Sequence, residues 1–246
     1  KHRLLTPGPT PLPERVRLVM AQDMIHHRKP AFKAVMSEVK DGLAKLFGSE
    51  QPVLPLCSSG TGAMVAAVNN LFVPGEKVLV VEGGKFGERW TEIARARGLE
   101  VVILKVEWGS GVAPAAVRDA LAADPGIRGV LIQHSETSTG AQHPVEQVAA
   151  ITASTPVLLV VDGISAVSIT PCPMDEWGID CLLTGSQKGL MLPPGLALIA
   201  LSDKAWKKAE TLPDADFYFN LRKERDNNAK GQTNFTTPVS LIVRIA

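Results

Sequence analysis

The chain is organised around Thr184-Gly185-Ser186-Gln187-Lys188-Gly189, which directly follows the apolar run Cys181-Leu182-Leu183. Such a run is typical of a buried strand, so Lys188 is expected just past a strand's carboxyl end. The ligands of open α/β sheets bind at these ends. A lysine partly removed from water there loses its charge more easily than a surface lysine, and its amine can condense with a carbonyl group. A solvated loop lysine is the plain alternative, and the surrounding residues decide between the two.

Strands and helices alternate on both sides of this stretch, which predicts an α/β fold with a mostly parallel sheet and helices on both faces. Too few residues join the last two predicted strands for a crossover helix, so one of them is expected to run antiparallel. The polar segment 214–232 is predicted to be a solvated face or loop. The predicted strands are 53–57, 77–81, 101–104, 129–133, 157–161, 181–183 and 196–201. The predicted helices are 14–24, 31–47, 62–71, 86–97, 113–123, 145–152 and 239–246.

Length and composition narrow the class of protein. The 246 residues suit one large α/β domain or slightly more, and 45% hydrophobic residues are normal for a packed core. A net charge of +1 gives no electrostatic reason to expect nucleic acid or an anionic membrane as partner. No apolar run approaches the ~18 residues of a membrane helix. The start lacks a signal peptide, and three widely spaced cysteines form no disulfide or metal pattern, so a cytoplasmic protein is expected.

The two ends of the chain suggest its domain organisation. Prolines in Thr6-Pro7-Gly8-Pro9-Thr10-Pro11-Leu12-Pro13 predict an extended arm, because they exclude helix and central strand. We expect residues 1–20 to form an N-terminal arm and residues 21–246 a large domain. The chain begins without Met and ends in the middle of an amphipathic helix, so a further, small C-terminal domain is expected beyond it.

Polar residues follow several of the predicted strands. Ser58-Ser59-Gly60-Thr61-Gly62 opens a helix after a strand, where free backbone N–H groups can bind phosphate; it is neither a Walker loop nor a dinucleotide fingerprint. Asp162 stands at the end of the predicted strand 157–161, which precedes the strand that leads to Lys188. A carboxylate at that position can keep a pyridine nitrogen protonated. Phosphate cradle, acid and lysine, in this order and each past a strand end, form the set that pyridoxal phosphate requires. Phe86 can stack on its ring, and 134–140 offers hydroxyls to its phenolic oxygen. Phe86 can equally be an ordinary core residue, and His134 and Glu136 simple loop polars.

These motifs together resemble the class V aminotransferases of the fold type I pyridoxal-phosphate enzymes, and most closely the alanine–glyoxylate and serine–glyoxylate (serine–pyruvate) branch. The resemblance covers nearly the whole chain in the family's order. The matching motifs are Pro7-Gly8-Pro9-Thr10, Ser59-Gly60-Thr61-Gly62-Ala63-Met64, Lys85-Phe86-Gly87-Glu88-Arg89, 134–140, Val161-Asp162, Gly185-Ser186-Gln187-Lys188 and Pro193-Pro194-Gly195.

The resemblance implies a role for each matching residue. Lys188 is the Schiff-base lysine and proton shuttle, and Asp162 pairs with the pyridine nitrogen. Phe86 takes the place of the stacking aromatic residue, and Thr137 lies near the phenolic oxygen. The resemblance also implies a homodimer with active sites at the subunit interface and an N-terminal arm that crosses over. The remaining expected contacts are Ser59, Gly60, Thr61 and Gln187 with the phosphate, Thr236 with the phosphate of the neighbouring subunit, and Gly8 with the substrate carboxylate.

The activity that the resemblance implies is ping-pong transfer of an amino group from a small amino acid, alanine or serine, to glyoxylate or pyruvate. The arginine that binds the substrate carboxylate in this family lies beyond the end of this chain. Transamination between 2-aminoethylphosphonate and pyruvate, or ureidoglycine and glyoxylate, stays open because these enzymes share the cofactor site. A cysteine desulfurase is disfavoured because that branch has His at the positions of Gln187 and Phe86. A non-catalytic binding protein is disfavoured by the intact lysine and acid.

Overall fold

A seven-stranded sheet forms the centre of the protein in the computed structural model, which describes residues 4–214 and 216–245. Its spatial order is β1-β9-β8-β7-β4-β2-β3, and two short strands, β5 and β6, form a separate hairpin. In chain order the strands are β1 (Leu54–Cys57), β2 (Lys77–Glu82), β3 (Glu100–Lys105), β4 (Ile127–Gln133), β5 (Ser135–Glu136), β6 (Ala141–Gln142), β7 (Leu158–Asp162), β8 (Cys181–Gly185) and β9 (Leu196–Leu201).

One strand of the main sheet runs against the others. β9 pairs antiparallel with both β8 and β1, whereas β8, β7, β4, β2 and β3 pair parallel with one another. The reversal follows from the short lysine-bearing connection between β8 and β9, which is too short to cross the sheet. The predicted fold, a mostly parallel sheet with one antiparallel strand, is therefore confirmed.

Helices cover both faces of the sheet because alternate residues of each central strand point to opposite sides. In β7, Leu159 and Val161 join the core under α2, α5, α6 and α10, whereas Leu158 and Val160 join the core under α3, α4, α8 and α9. The helices are α1 (Glu14–Met20), α2 (Pro30–Phe47), α3 (Gly60–Leu71), α4 (Lys85–Ala96), α5 (Pro114–Ala123), α6 (Val145–Thr152), α7 (Met174–Trp177), α8 (Asp203–Thr211), α9 (Leu221–Asn228) and α10 (Val239–Ile245).

Two predictions about helices were wrong. α1 ends at Met20 rather than at residue 24, and Met24 is exposed, so no buried apolar contact extends the helix. The polar segment 214–232 contains α9, whose only buried apolar residue is Leu221. The side chain of Asn220 caps α9 by accepting a hydrogen bond from the Lys223 amide.

The division into an arm, 1–20, and a large domain, 21–246, stays a proposal. Residues 1–3 of that arm and residue 246 of that domain lie outside the described residues. Within the described part, the arm ends in α1, which packs against α10. In residues 4–214 and 216–245, every helix is too short or too polar to cross a bilayer.

Candidate active site

The sheet brings the predicted site segments to one edge. β1, β2, β4, β7 and β8 all point the same way. β1 and β8 are both antiparallel to β9, and β7 pairs parallel with β8, β4 with β7, and β2 with β4. Their carboxyl ends therefore share an edge, the place where α/β sheets bind ligands. The segments that follow these ends are 58–62, 83–89, 134–140, 162–166 and 186–189.

Lys188 lies in a buried position in the loop after β8, with 8% of its surface exposed. Its Nζ donates a hydrogen bond to the Pro7 carbonyl at 3.3 Å. Burial lowers the pKa of the Lys188 amine, and the nearby Asp162 carboxylate partly opposes this shift. The amine is therefore closer to its neutral, nucleophilic form than a surface lysine.

A cavity of about 730 Å³ opens beside this amine. Thr137 and Ser165 contribute hydroxyls to its wall, and their Oγ1 and Oγ atoms lie 2.6 Å apart in a hydrogen bond. Lys188 carries the charge in a wall that is otherwise neutral in the described residues. The remaining lining residues are Pro7, Thr10, Pro11, Ser135, Gly140, Ile169, Gly189 and Met191.

Asp162 ends β7, beside β8, and only 4% of its surface is exposed. Its Oδ1 accepts a hydrogen bond from the Ile164 amide at 2.8 Å. The pKa of Asp162 is raised to about 7, mainly by burial and to a smaller extent by the charge of Glu136. The hydrogen bond from Ile164 and the charges of Arg89 and Lys188 act in the opposite direction. A cationic ring nitrogen beside this carboxyl would supply the positive partner that a buried carboxylate needs.

The predicted phosphate cradle lies at the start of α3. Ser59 is the N-cap residue, and its side chain caps no amide. Within the described residues the backbone N–H groups of Ser59, Gly60 and Thr61 have no hydrogen-bond partner. Gln187 Oε1 is also buried without a partner in that part of the chain. Free amides at the start of a twelve-residue helix form an anion site, so these atoms fit a phosphate group.

The helix start that carries Phe86 is held by the buried carboxylate of Glu136, a residue that the sequence also allowed as a simple loop polar. Glu136 is fully buried, and its Oε2 accepts hydrogen bonds from the amides of Phe86 and Gly87, both at 3.1 Å. Its Oε1 accepts from the amide and hydroxyl of Ser138. Glu136 thus caps α4 and joins the helix that carries Phe86 to the segment that carries Thr137.

The N-terminal arm packs on its own chain's lysine loop. The Thr10 amide donates to the Gln187 carbonyl at 3.1 Å, and a Cβ placed on Gly8 would lie 2.7 Å from Lys188 Nζ. Gly8 is therefore next to the Lys188 amine, and its contact with the substrate carboxylate stays a prediction. Pro7–Thr10 thus pack on the lysine loop of their own chain, and the crossing of the arm to a second subunit stays a prediction.

Thr236 is apart from the other predicted residues. It is exposed and lines a different, small cavity with Tyr218, Phe235 and Thr237, not the one beside Lys188. Lys188 and Thr137 thus line the larger cavity, and Gly8 lies against Lys188. The remaining predicted residues, Ser59, Gly60, Thr61, Phe86, Asp162 and Gln187, follow the strand ends of the same edge, and Thr236 does not join them.

Three residues of this site were not predicted from the sequence: Arg89, Glu136 and Ser165. Arg89 lies over the Phe86 ring and donates to the Thr61 hydroxyl. Their signal was weak because each contact joins segments far apart in the chain. Only the spacing of Phe86 and Arg89, three residues apart on a helix, indicated that these two side chains would meet.

An amine, a buried carboxyl and a set of free helix amides at the carboxyl edge of such a sheet define the large domain of a fold type I pyridoxal-phosphate enzyme. The sequence profile of aminotransferases of class V matches residues 8–224. The chain belongs to the class-V aminotransferase family, whose cofactor is pyridoxal 5′-phosphate.

Individual relatives support this assignment. A protein named soluble hydrogenase 42 kDa subunit, from Anabaena cylindrica, is 40% identical over 100% of this chain and 65% of its own. The serine–glyoxylate aminotransferase of Methylorubrum extorquens is 37% identical over 98% of this chain and 63% of its own. The structure of alanine–glyoxylate aminotransferase from Nostoc sp. superposes with a TM-score of 0.94 at 30% identity, covering 100% of this chain and 66% of that one. The chain thus spans just under two thirds of these proteins.

Proposed function

We propose that the whole protein is a pyridoxal-phosphate-dependent aminotransferase that moves the amino group of alanine or serine to glyoxylate or pyruvate. The observation that carries this proposal is the buried Lys188 amine, which opens on a 730 Å³ cavity and is electrostatically coupled to the buried Asp162. Two similar proteins are named as aminotransferases that use glyoxylate, with serine or alanine as the second substrate.

The wall of the cavity favours a small, neutral amino donor. Pro11, Ile169 and Met191 give this wall an apolar character, and Lys188 is its charged member in the described residues. An apolar wall stabilises a methyl or hydroxymethyl side chain, whereas a second carboxylate there would lose its hydration without gaining a partner. The residues of this wall therefore favour alanine and serine over aspartate, although one similar protein is named L-aspartate–glyoxylate aminotransferase.

Each predicted residue has a proposed task toward the cofactor. When bound, pyridoxal phosphate supplies an aldehyde that reacts with amines and a protonated ring that withdraws electrons. Asp162 keeps that ring nitrogen protonated, Phe86 stacks on the ring, and Thr137 faces the phenolic oxygen. The other proposed contacts are Ser59, Gly60, Thr61 and Gln187 with the phosphate, Thr236 with the phosphate in a partner subunit, and Gly8 with the substrate carboxylate.

Lys188 has a second task, which is proton transfer. Burial lowers the pKa of its amine, so a larger fraction of Nζ is neutral than in a surface lysine. This Nζ accepts the proton from the α-carbon of the amino donor and later returns a proton to the acceptor. The hydroxyls of Ser165 and Thr137 lie beside the path of this proton. The surrounding apolar wall limits the water that could exchange it.

The proposal is tested with the complete natural protein loaded with pyridoxal phosphate. We expect alanine or serine to change the visible absorption of the bound cofactor and, with glyoxylate or pyruvate, to give parallel lines in double-reciprocal plots. Lys188→Ala should lose both the absorption band and the turnover by several orders of magnitude. Lys207→Ala, on the outer helix α8, is the matched control and should behave like the wild type.

A donor and acceptor panel distinguishes the related reactions. It should include aspartate, 2-aminoethylphosphonate, ureidoglycine and cysteine beside alanine and serine. If only aspartate, 2-aminoethylphosphonate or ureidoglycine is turned over, that compound replaces alanine and serine as the donor, and the protein is still an aminotransferase. Sulfide release from cysteine, or an unchanged absorption band in Lys188→Ala, would contradict an aminotransferase.

We further propose that the protein is a homodimer in the cytoplasm. An aromatic patch, defined as Phe217, Tyr218 and Phe235, lies on the surface, and Phe217 is 80% exposed. Tyr218 donates to the Cys57 carbonyl at 3.5 Å, so the patch lies beside the cradle that begins at residue 58. A second copy seated there would lie next to the active site. The cytoplasmic location rests on three cysteines that form no disulfide, and cell fractionation tests it.

A further inference from the structure

Arg89 is a half-buried cation whose charge has no carboxylate within 4.0 Å among the described residues. Lys85, one turn earlier on the same helix, pairs with Glu88 at 2.7 Å, so α4 does offer a carboxylate to a neighbouring cation. A positive charge that is partly withdrawn from water needs either an anion or a set of acceptors. The position of Arg89 therefore suggests a site where negative charge arrives with a ligand.

The guanidinium joins two residues of the candidate active site. Its Nη1 donates to Thr61 Oγ1 at 3.2 Å, and its central carbon lies 4.7 Å from the centroid of the Phe86 ring. A planar guanidinium over an aromatic face is a favourable arrangement that fixes both groups. Arg89 thus bridges the start of α3, with its free amides, and the start of α4, which Glu136 caps.

The hydrogen bond to Thr61 has a direction that matters. Because the arginine can only donate, the Thr61 oxygen accepts, and the hydroxyl proton of Thr61 stays available for an acceptor on the ligand. The Thr61 amide also lacks a partner in the described part of the chain. Arg89 therefore orients the Thr61 hydroxyl, which together with the free Thr61 amide forms a donor pair for one anionic group.

We propose that Arg89 is a positioning residue of the cofactor site, which holds the Thr61 hydroxyl and the Phe86 ring in place and makes the phosphate end of the site positive. This inference rests on the proposed function, because it takes the anion to be the phosphate monoester of the cofactor. Arg89 acts through Thr61 and Phe86 and through its charge.

Binding of pyridoxamine phosphate and of pyridoxamine, measured by calorimetry, tests the proposal without turnover. Neither compound condenses with Lys188, and they differ only in the phosphate. In the complete protein freed of cofactor, we expect Arg89→Met to weaken the binding of pyridoxamine phosphate about 10- to 100-fold. The binding of pyridoxamine should weaken by a factor about ten times smaller. Arg95→Met, at an exposed position of the same helix, is the matched control and should change neither.

Two further variants separate positioning from folding. Arg89→Lys keeps the charge but not the planar stack, so it should retain the preference for the phosphorylated compound while losing part of the affinity for both. Thr61→Val combined with Arg89→Met should lose less than the product of the two single effects, because the two residues act through one hydrogen bond.

The outcomes distinguish this inference from the proposed function. If the wild type binds pyridoxamine phosphate and Arg89→Met binds it equally well, or loses both compounds equally, the role of Arg89 is overturned while the aminotransferase stands. If Arg89→Lys loses the phosphate preference as completely as Arg89→Met, the charge has no part in it. If the wild type binds neither compound, the proposed function fails and this inference fails with it.

Discussion

Burial sets the charges of the two groups that face each other across the candidate active site. It lowers the pKa of the Lys188 amine and raises the pKa of the Asp162 carboxyl, so both move toward their neutral forms when no ligand is bound. A carboxylate kept away from water destabilises the fold that holds it. The ligand-free protein therefore carries a cost at Asp162 that a cationic partner would remove.

This cost predicts a pH-dependent stability. The pKa of Asp162 is about 7 in the folded protein, above the unfolded value of 3.8. The contribution of this carboxyl to the free energy of unfolding is therefore fully present below about pH 4 and is lost as the pH rises through about 7. Without cofactor, the free energy of unfolding of Asp162→Asn, taken relative to that of the wild type, should increase by about 2–3 kcal/mol when the pH is raised from about 5 to about 8. Urea unfolding at the two pH values measures this difference.

The control for this prediction is Asp226→Asn, at an exposed position on α9. It should keep the same stability difference from the wild type at both pH values. The comparison has to be made between variants, since burial also raises the pKa of Glu224 to about 7 and adds to the wild-type pH dependence. An Asp162→Asn protein whose stability falls with pH as steeply as that of the wild type would contradict the prediction.

At the scale of single elements, two glycines of α2 have opposite reasons to be glycine. Gly48 ends the helix in a left-handed conformation, with φ of 59°, and a Cβ there would lie 3.0 Å from Pro173 Cα. Gly42 lies inside the helix, and a Cβ there would meet nothing within 4 Å. The first is needed for chain geometry, whereas the second only weakens the helix.

Alanine at these two positions should therefore have effects of opposite sign. Gly48→Ala should lower the free energy of unfolding by about 1–2 kcal/mol, because it combines left-handed backbone strain with a close backbone contact. Gly42→Ala should raise it by up to about 1 kcal/mol through helix propensity. Thermal and urea unfolding of the pair checks this, and equal effects of both changes would show that the helix end is not fixed as described.

The elements that the sequence predicts well are those with one dominant local signal. β7 and β9 are continuous apolar runs, and α2 combines apolar periodicity with Pro30 at its start and Gly48 at its end. α9 has no such signal. It is stabilised by contacts between distant residues, such as Arg225 over the Trp206 ring at 4.4 Å, and these cannot be seen in the local sequence.

The same division holds for the candidate active site. Lys188 and Asp162 each follow a buried strand, so their approach to one edge follows from the parallel sheet alone. Glu136 and Arg89 act across tertiary contacts with α4 and α3. The residues proposed to bind the cofactor directly were thus predictable from strand ends, whereas the residues proposed to orient them were not.

For the whole molecule, the aromatic patch is the surface that most needs an explanation. The Tyr218 and Phe235 rings stack at 5.0 Å, and Phe217 lies 5.6 Å from Phe235, so the three side chains form one apolar area. An exposed aromatic cluster of this kind is typical of a protein–protein interface.

We therefore expect Phe217→Asp to convert the proposed dimer into monomers. Light scattering after size exclusion should show a dissociation constant raised about 100-fold or more, since aromatic residues dominate interface energetics. Trp108→Asp is the control, because Trp108 is 55% exposed away from the patch and should leave the dimer intact. A dimer that survives Phe217→Asp at low protein concentration would exclude this patch as the interface.

The contact between Pro7 and Lys188 has a consequence for how the enzyme is filled. The amine that must capture an aldehyde is engaged by the carbonyl of the chain's own leading segment, and residue 8 leaves no room for a side chain between them. Under the proposed function, that segment would compete with the aldehyde of vitamin B6 phosphate for the amine. We therefore expect substitutions in residues 7–10 to change how readily the protein takes up pyridoxal phosphate.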